Sequence, residues 1–523
     1  MGAQVVNNYH NDKKKKKKGP DGGEDDDGRR ILHDLHTLAS IHLSGEALDE
    51  LTKRFIETLC EDIDRRFPPR DNKDDDDDGD DNEWEILDLC TYVKSTWTHA
   101  SITALFGSSI HTLWPDIDTW LWDFDAHFQK IVSRMPRFLF PRAYALRDEG
   151  LRMCMFWEEE ALRAEKEGMI SSYKKIEGDN ENDGALWDPY WGHRYTRLRA
   201  KRMMENGISA RGRAGNAISL LWGLNANAIP VAMQVINQSV LNPSSLLTDL
   251  LAEISTCQTG PVSFDMSKIT TRPKLRSVYL EALRWATASL SPRVVREDCE
   301  LEGCGYRYRF RANSMVIVHS RTLQMDPATW EIPGRPESDP VRFWAGRFLL
   351  DEDGDKDDDT NTNTNSNDGE AERMDEIAEA EAEYIADTTT TVAITSTNNN
   401  NSDKPSPVTN ERILIKPISL GPKPKSSTKT DTTTPQKQQQ QQRLSSLRPY
   451  GGGTTLCPGR HFATNEILGG LAALLLRLEI EVIEEELVRN GVPQPDLMKQ
   501  GGLFPDRPLM VRVRRRRRSR FCT

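Results

Sequence analysis

The feature that most constrains the fold is a glycine-rich turn that places one cysteine directly before a long apolar segment. The turn reads LRPYGGGTTLCPGRHFATNE and occupies residues 447–466. Tyr450 and three glycines precede Cys457, and Gly459 follows it. Glycines let the backbone approach a flat, bulky group or adopt positive φ values. Apolar residues then recur with a helical period, which predicts a buried helix from about Ala463 onward.

The position of this cysteine favours a thiolate that binds a metal-containing group. Free N–H groups and the positive end of the helix dipole stabilise a negative sulfur there. Zinc is disfavoured, because the turn has no second cysteine or histidine at the spacing of a zinc site. A single thiolate in a dry, amide-lined pocket is typical of an axial ligand to haem iron. The alternative is a cysteine that happens to follow a glycine-rich turn before a core helix.

Composition excludes several other classes of protein. The 523 residues carry a net charge of −12, so no overall basic field favours nucleic acid. The eight cysteines are scattered, as in a reduced intracellular protein. No segment reaches the ~18–20 apolar residues that span a bilayer, and the N-terminal lysines precede no apolar signal segment. The sequence therefore predicts an intracellular chain with no transmembrane segment and no nucleic-acid partner.

Low-complexity segments interrupt a chain that otherwise has the composition of a globular core. Their polar and charged residues predict disorder. The remainder is predicted to form one domain over 30–514. The predicted disordered parts are a charged N-terminal tail, three insertions and a basic C-terminal tail, at 1–29, 68–83, 166–186, 351–443 and 515–523. The longest insertion far exceeds the usual connection of ~4–6 residues.

The rest of the chain is mostly helical in pattern, with a small share of strands. Helices are predicted over most of 30–66 and 84–165, with Ser44 as an N-cap. Segment 208–241 is too apolar on all sides for a surface helix, so it should cross a core. Pro230 lacks an N–H and is predicted to bend this helix. Short strands are predicted at 293–296, 306–310, 314–319 and in the PLMVRV segment near the C-terminus.

A charged motif lies upstream of the cysteine turn. Glu281 and Arg284 are three residues apart in a helix predicted over 272–288, so their side chains share one face and can pair. Such pairs are common, and an ion pair on the helix surface is the alternative interpretation. The motif follows the long apolar helix and precedes the short strands.

The cysteine turn resembles the haem-binding loop of the cytochrome P450 family. Tyr450-x-x-Gly453-x-x-x-Cys457-x-Gly459 matches the usual Phe-x-x-Gly-x-x-x-Cys-x-Gly, with Tyr in place of Phe. The resemblance implies that Cys457 binds the iron of haem, iron protoporphyrin IX. It also implies that Tyr450, Gly453, Gly459 and Arg460 contact the cofactor. The implied fold is mainly α with small β-sheets, and the haem lies between the bent helix and the Cys457 helix.

The charged motif is similar to the Glu-x-x-Arg of the same family. Arg347, in FWAGRF, matches the arginine of the family's Phe-x-Pro-Glu-Arg-Phe region, although Ala345 and Gly346 replace the proline and glutamate. The resemblance implies that Glu281, Arg284 and Arg347 form a buried network that locks the core behind the cysteine loop.

Three stretches are similar to the branch with sterol 7α-hydroxylases and prostacyclin synthases. They read LLWGLNANAIP, EALRWATASLSPRVVRED and GGGTTLCPGRHFA. This implies that Arg293 pairs with a haem propionate and that the substrate is lipophilic and sterol-like. Where the family usually has an acid–alcohol pair, this chain has Ala226-Asn227-Ala228. Asn227 either holds a water that helps to deliver protons or caps the helix kink; both interpretations remain open.

The resemblance implies a haem-thiolate monooxygenase that uses O2 and electrons from a separate NADPH-dependent reductase. Family members begin with a membrane anchor of the endoplasmic reticulum and a first sheet, and neither is visible here, so the chain is expected to be truncated relative to the family. A second hypothesis is a haem-thiolate isomerase or dehydratase acting on an oxidised lipid. A third is an inactive family member or an interaction protein built on the charged and Gln-rich segments.

Overall fold

The computed structural model describes residues 26–69, 84–170, 185–242, 244–303, 306–349, 443–452 and 456–516. The chain is mainly helical with small sheets, which confirms the predicted fold class. It divides into two compact units. The first unit contains Met1–Tyr279, Pro458–Met498 and Gly502–Thr523, and the second contains Leu280–Cys457 and Lys499–Gly501.

The secondary-structure elements are numbered here in chain order. The helices are α1 (Asp26–His42), α2 (Gly45–Arg66), α3 (Leu89–Phe106), α4 (Ser109–Leu113), α5 (Ile117–Val132), α6 (Pro141–Lys166), α7 (Arg194–Glu205), α8 (Ala210–Leu241), α9 (Ser244–Ser255), α10 (Met266–Ile269), α11 (Pro273–Trp285), α12 (Ser320–Gln324), α13 (Pro327–Trp330), α14 (Arg460–Arg477) and α15 (Glu484–Asn490). The strands are β1 (Glu85–Asp88), β2 (Trp187–Asp188), β3 (Gly192–His193), β4 (Gln258–Gly260), β5 (Ser263–Phe264), β6 (Thr287–Ala288), β7 (Leu290–Val294), β8 (Cys299–Gly303), β9 (Tyr306–Phe310), β10 (Met315–His319), β11 (Leu478–Val482), β12 (Gly501–Gly502) and β13 (Met510–Arg515).

The core of the first unit is built around α3, a helix that is buried on nearly every side. The Asp88 carboxylate begins this helix by accepting hydrogen bonds from the Cys90 and Thr91 N–H groups, both at 3.2 Å. Such a cap satisfies N–H groups that have no partner within the helix. Helices α2 and α8 pack against α3, and α14 packs against α2 and α8. The predicted buried helix after the cysteine turn is therefore part of this core.

Helix α8 crosses the first unit as the long apolar helix that the sequence predicts. Its 32 residues begin after Ser209, whose side chain accepts a hydrogen bond from the Gly212 N–H. The helix continues through Pro230 and ends at Leu241. Its length and composition would suffice to cross a membrane, but most of its apolar window is buried inside the protein, as in a core helix.

A three-stranded antiparallel sheet joins distant parts of the first unit. Strand β13 lies in the middle, with β1 and β11 on its two sides. Val513 is opposite Glu85 on one side and Ile480 on the other. The strand predicted at PLMVRV is present, whereas β1 falls in a region that was predicted to be helical. A four-residue strand whose partner lies more than 400 residues away leaves little local signal.

The second unit contains two antiparallel strand pairs. Strand β7 pairs with β10, with Val316 opposite Arg293, and β8 pairs with β9. Strands β7, β9 and β10 correspond to the three short strands predicted between the charged motif and the longest insertion, with boundaries that differ by at most a few residues, whereas β8 was not predicted. Many of their side chains are exposed, including Val294, Met315 and Ile317.

The structure corrects several predicted boundaries. Helix α1 begins at Asp26, inside the predicted N-terminal tail. Ile170 and Arg443, at the edges of two predicted insertions, are buried. Arg515, assigned to the basic tail, ends β13 and bonds to Asp64. Ile170 and Arg443 gain burial, and Arg515 gains a partner, which composition alone does not reveal. The other parts of the predicted tails and insertions lie outside the described residues.

Ser44 occupies the predicted N-cap position of α2 but does not cap it with its side chain. Its hydroxyl instead donates to the carbonyl oxygens of Ser40 and Ile41, at 3.0 and 2.9 Å, at the end of α1. A serine between two helices can donate to the last carbonyl oxygens of the first helix or accept from the first N–H groups of the second. Ser44 donates to the carbonyl oxygens.

Candidate functional site

The cysteine turn of the second unit is closed by its own backbone. The Cys457 N–H donates a hydrogen bond to the Tyr450 carbonyl oxygen at 3.1 Å. Gly451 has a φ of +78°, a conformation that side chains disfavour. Cys457 itself is half-buried. The turn therefore fixes the backbone of the cysteine and leaves the residue partly accessible, whereas Gly453 lies outside the described residues.

A cation stands beside this turn. Arg293 lies on β7, is exposed, and donates from Nη2 to the Gly452 carbonyl oxygen at 2.9 Å. Its Nη1 donates to the carbonyl oxygen of Pro292, also at 2.9 Å. The Ser289 hydroxyl donates to the Pro449 carbonyl oxygen at 3.4 Å. Strand β7 and the residue before it thus hold the glycine-rich turn from the side that carries the guanidinium group.

These residues fit an iron porphyrin that carries carboxylate side chains. A Cβ atom added to Gly452 would meet no atom within 4 Å, so there is space beside the turn for a flat group. Cys457 supplies the soft sulfur donor that haem iron accepts. Arg293 supplies N–H donors and a positive charge suited to a propionate. The donor set, the open space and the cation therefore agree with the cofactor that the resemblance implies.

Two further residues with predicted haem contacts follow Cys457 in the first unit. Gly459 is the N-cap residue of α14, with a φ of −83°. Arg460 is the first residue of α14 and is half-buried. The helix therefore starts slightly earlier than the sequence pattern predicts. The haem contacts of Gly459 and Arg460 stay a prediction.

Glu281, Arg284 and Arg347 come together in the second unit as a buried network. Arg284 donates from Nε and Nη2 to the two carboxylate oxygens of Glu281, at 2.8 and 2.7 Å. Arg347 donates from Nε to Glu281 Oε2 at 2.9 Å. All three side chains are 0% exposed, so the alternative of a surface ion pair does not hold. One carboxylate faces two guanidinium groups away from water.

Backbone groups satisfy the remaining donors and acceptors of this network. The Trp344 N–H donates to Glu281 Oε1 at 3.0 Å. The two arginines donate to carbonyl oxygens of Gln324, Trp330, Ser338, Asp339, Pro340 and Arg342. Burial lowers the pKa of Arg347, and the charge of Glu281 opposes that change. The network therefore fixes the course of the chain from 324 to 347.

Helix α8 has an open stripe on one face. Leu220, Gly223, Leu224 and Asn227, which we call the open stripe, are half-buried or exposed and follow the spacing of a single helix face. From 225 to 239 every residue except Asn227 is buried. A Cβ atom added to Gly223 would meet no atom within 4 Å. The stripe thus combines apolar side chains, a gap and one amide, which suits a mostly apolar ligand with a polar group.

The side chain of Asn227 is held from outside its own helix. Its Oδ1 accepts a hydrogen bond from the Gly502 N–H at 3.0 Å. This contact weighs against the interpretation that Asn227 only caps the kink at Pro230. Gly502 could not be predicted as a site residue, because β12 is two residues long and Gly502 lies 275 positions from Asn227. The glycine pair before Leu503 was the one local signal.

A buried carboxyl group on α14 was also missed. Glu466 is 1% exposed, and its Oε1 accepts a hydrogen bond from the Ser101 hydroxyl of α3. Its Oε2 has no hydrogen-bond partner within the described residues. Burial raises the pKa of Glu466 to about 8, and the Ser101 hydrogen bond opposes this rise. Glu466 is therefore held as a neutral acid in the core below that pH.

We expect Glu466→Gln to remove part of the pH dependence of stability. Burial in the folded chain raises the pKa of Glu466 from its ordinary value of 4.5 to about 8. The stability that its protonated form contributes is complete below the lower value and is lost as the pH rises through the upper one, by at most about 1.4 kcal/mol per pH unit. Urea unfolding across this range measures it. The glutamine variant should gain stability over wild type as the pH rises; a constant difference would contradict the assignment.

An exposed apolar loop joins α5 to α6 in the first unit. Phe138 is 81% exposed and Leu139 is 58% exposed, and Val132 and Met135 are exposed as well. Arg137 lies beside Phe138 and pairs with Asp148 at 3.0 Å. Adjacent exposed apolar side chains of this size, with a neighbouring cation, are typical of surfaces that meet another apolar phase.

Comparison with known proteins finds relatives over most of the chain. Cytochrome P450 monooxygenase fsoE of Humicola fuscoatra is 26% identical over 499 residues, which cover 93% of this chain and 71% of the relative. Cytochrome P450 monooxygenase efuG of Hormonema carpetanum is 24% identical over 494 residues, or 92% of this chain and 72% of the relative. The 25-hydroxycholesterol 7-alpha-hydroxylase of Rattus norvegicus is 23% identical over 313 residues, 58% of this chain and 66% of the relative. A scan of protein-family models gave no match.

Proposed function

We propose that the chain, which is similar to cytochrome P450 monooxygenases over most of its length, hydroxylates a lipophilic, sterol-like substrate by means of a haem bound through Cys457. The observation that carries the proposal is the closed turn that leaves Cys457 partly accessible next to open space at Gly452 and the guanidinium group of Arg293. When bound, the haem supplies the activation of O2 and the insertion of one oxygen atom into a C–H bond of the substrate.

The residues of the turn have separate roles in this proposal. Cys457 holds the iron through its sulfur, and the hydrogen bond from its N–H to Tyr450 O keeps its backbone in place. Arg293 orients the cofactor by pairing with a propionate, since it is already fixed against Gly452. The buried network of Glu281, Arg284 and Arg347 keeps the second unit rigid around these groups.

The open stripe of α8 supports a lipophilic substrate. Leu220 and Leu224 offer apolar contact, and the missing side chain at Gly223 leaves room for a bulky ring system. Asn227 adds one amide that can hold a water or a polar substituent. The name of the relative that acts on 25-hydroxycholesterol supports the sterol-like class.

Electrons come from a separate NADPH-dependent reductase in this proposal. The balance is RH + O2 + NADPH + H⁺ → ROH + H2O + NADP⁺, so the reductase supplies two electrons for each hydroxyl group formed.

The exposed loop with Phe138 and Leu139 supports the membrane association expected from the resemblance. Co-sedimentation with phosphatidylcholine vesicles measures it, and a chain that stays entirely in the supernatant would contradict it.

Turnover of a sterol tests the proposed reaction directly. The purified chain, loaded with haem and mixed with reductase and NADPH, should hydroxylate a sterol only when O2 is present. Labelled ¹⁸O2 should leave one labelled atom in the product. Product formation that continues without O2 and NADPH would overturn the monooxygenase proposal.

The second candidate is an isomerase or dehydratase that acts on a lipid already carrying oxygen. The observation that favours it is the sequence Ala226-Asn227-Ala228, which has neither acid nor alcohol at the centre of α8. Such a reaction needs no outside oxidant or reductant. A lipid hydroperoxide or endoperoxide converted under argon without NADPH would therefore select this candidate.

A further inference from the structure

The backbone at Gly502 approaches α8 more closely than any side chain would allow. A Cβ atom added to Gly502 would lie 2.4 Å from the carbonyl oxygen of Asn227 and 3.0 Å from its Cα. Real Cβ atoms essentially never approach another heavy atom as closely as 2.4 Å. The approach brings the Gly502 N–H to 3.0 Å from Asn227 Oδ1. Glycine at this position is therefore what permits the contact.

A second contact holds the same backbone against α8. Gln234, seven residues after Asn227 and so on the same helix face, donates from Nε2 to the Leu503 carbonyl oxygen at 3.2 Å. Two consecutive residues of the 502–503 segment are thus bound by two amide side chains of one helix. This placement does not depend on the Asn227 hydrogen bond alone.

The Gly502 contact decides which way the Asn227 amide points. A backbone N–H can only donate, so the atom that it meets must be the carboxamide oxygen. The NH2 group of Asn227 is then the opposite end of the amide. Asn227 is exposed on the open stripe, and no hydrogen bond to its Nδ2 occurs within the part of the chain that the structure describes. Two N–H donors are therefore available to a ligand.

Asn225 shows that this orientation is specific to Asn227. The Asn225 side chain is 0% exposed, and its Nδ2 donates to the Leu221 carbonyl oxygen of its own helix at 2.9 Å. Its donors are turned back into α8 and away from any ligand. In the LNANA segment, the NH2 group of Asn225 is bonded within α8, whereas the NH2 group of Asn227 is available to a ligand. The sequence alone does not distinguish the two.

We propose that Gly502 is a positioning residue that orients Asn227, so that the Asn227 NH2 group donates a hydrogen bond to an oxygen acceptor on the open stripe. The acceptor is a water or an oxygen atom of the bound substrate. Gly502 acts through Asn227 and needs no contact with the ligand itself. The proposal that this donor binds the substrate rests on the proposed function; the hydrogen bond itself does not.

Hydrogen exchange tests the positioning contact in the purified full chain, with or without haem. Asn227→Asp keeps an oxygen that accepts from Gly502 but loses the NH2 group, whereas Asn227→Leu loses both. We expect exchange in a peptide covering 500–504 to be unchanged in the first variant and faster at Gly502 in the second, by about fivefold for one lost hydrogen bond. Unchanged exchange in Asn227→Leu would overturn the contact.

Gly502→Ala tests the requirement for a close approach. The added methyl group collides with the Asn227 carbonyl oxygen, so we expect faster exchange at 500–504. Gly215→Ala is the matched control on α8, because its Cβ would meet Leu151 at an ordinary 3.7 Å. Equal exchange in both alanine variants and wild type would overturn the steric argument.

Sterol binding to the purified full chain tests the donor. Equilibrium dialysis with 25-hydroxycholesterol measures the affinity, and Asn227→Leu, Asn227→Asp and Gly502→Ala should each weaken it by about fivefold for one lost hydrogen bond. Wild-type affinity in all three variants, with faster exchange in Asn227→Leu and Gly502→Ala, would show that the NH2 group does not reach the ligand and would overturn the proposal. A chain that takes up no haem would instead overturn the proposed function, and the exchange results would then decide the Gly502 contact.

Discussion

Cys457→Ser should abolish the red-shifted Soret band of the reduced carbon-monoxide complex while leaving the chain folded. A serine hydroxyl is a weak ligand that cannot donate electron density to iron as a thiolate does. The substitution is nearly isosteric, and the Cys457 N–H that bonds to Tyr450 O is a backbone group, so the turn should keep its shape. We expect complete loss of the thiolate-type band and of hydroxylation. Difference spectroscopy of the purified chain measures the first.

Cys299→Ser is the matched control for this experiment. Cys299 lies in the same unit, on β8, and is half-buried like Cys457. Its replacement should leave the Soret band unchanged. A thiolate-type spectrum that survives in Cys457→Ser, or that disappears in Cys299→Ser, would contradict the ligand assignment.

The parts of the site that could be predicted from sequence are those with a local signature. The glycine-rich turn and the helix after it are contiguous, so their residue types and spacing are sufficient to predict the arrangement around Cys457. Glu281 and Arg284 are three residues apart, and the helix period alone predicts that they meet. Helix α8 was predicted in the same way, from the length and apolar character of its segment.

The parts that could not be predicted depend on contacts between distant residues. Arg347 was assigned through the resemblance, since nothing in its own segment indicates that it would meet Glu281, 66 residues away. The pairing of β1 with β13 and the contact of Gly502 with Asn227 leave little local signal. In each case the contact is stabilised by a hydrogen bond whose second partner is brought close only by the tertiary fold. Segments of two to four residues are also too short to show a helical or strand period, so the sequence does not predict the contact.

Glu281→Ala should be among the most destabilising single substitutions in this chain. It removes the only carboxylate from a network in which two guanidinium groups are 0% exposed, and it leaves the Trp344 N–H without its acceptor. Breaking a buried pair in this way costs roughly 3–5 kcal/mol, because an uncompensated charge stays in the interior. Since whole domains are stable by only about 5–15 kcal/mol, much of the chain should unfold at low urea.

The control for the lost stability of Glu281→Ala is a Glu–Arg pair with the same spacing on the protein surface. Glu486 and Arg489 of α15 are also three residues apart and form an ion pair, but the Arg489 side chain is 70% exposed. Such exposed pairs contribute about 0–1 kcal/mol, so Glu486→Ala should hardly move the urea midpoint. Should Glu281→Ala be too unstable to purify, Glu281→Gln keeps the shape and one acceptor oxygen and allows the measurement. Equal midpoints for the Glu281 and Glu486 variants would mean that the buried network does not stabilise the second unit.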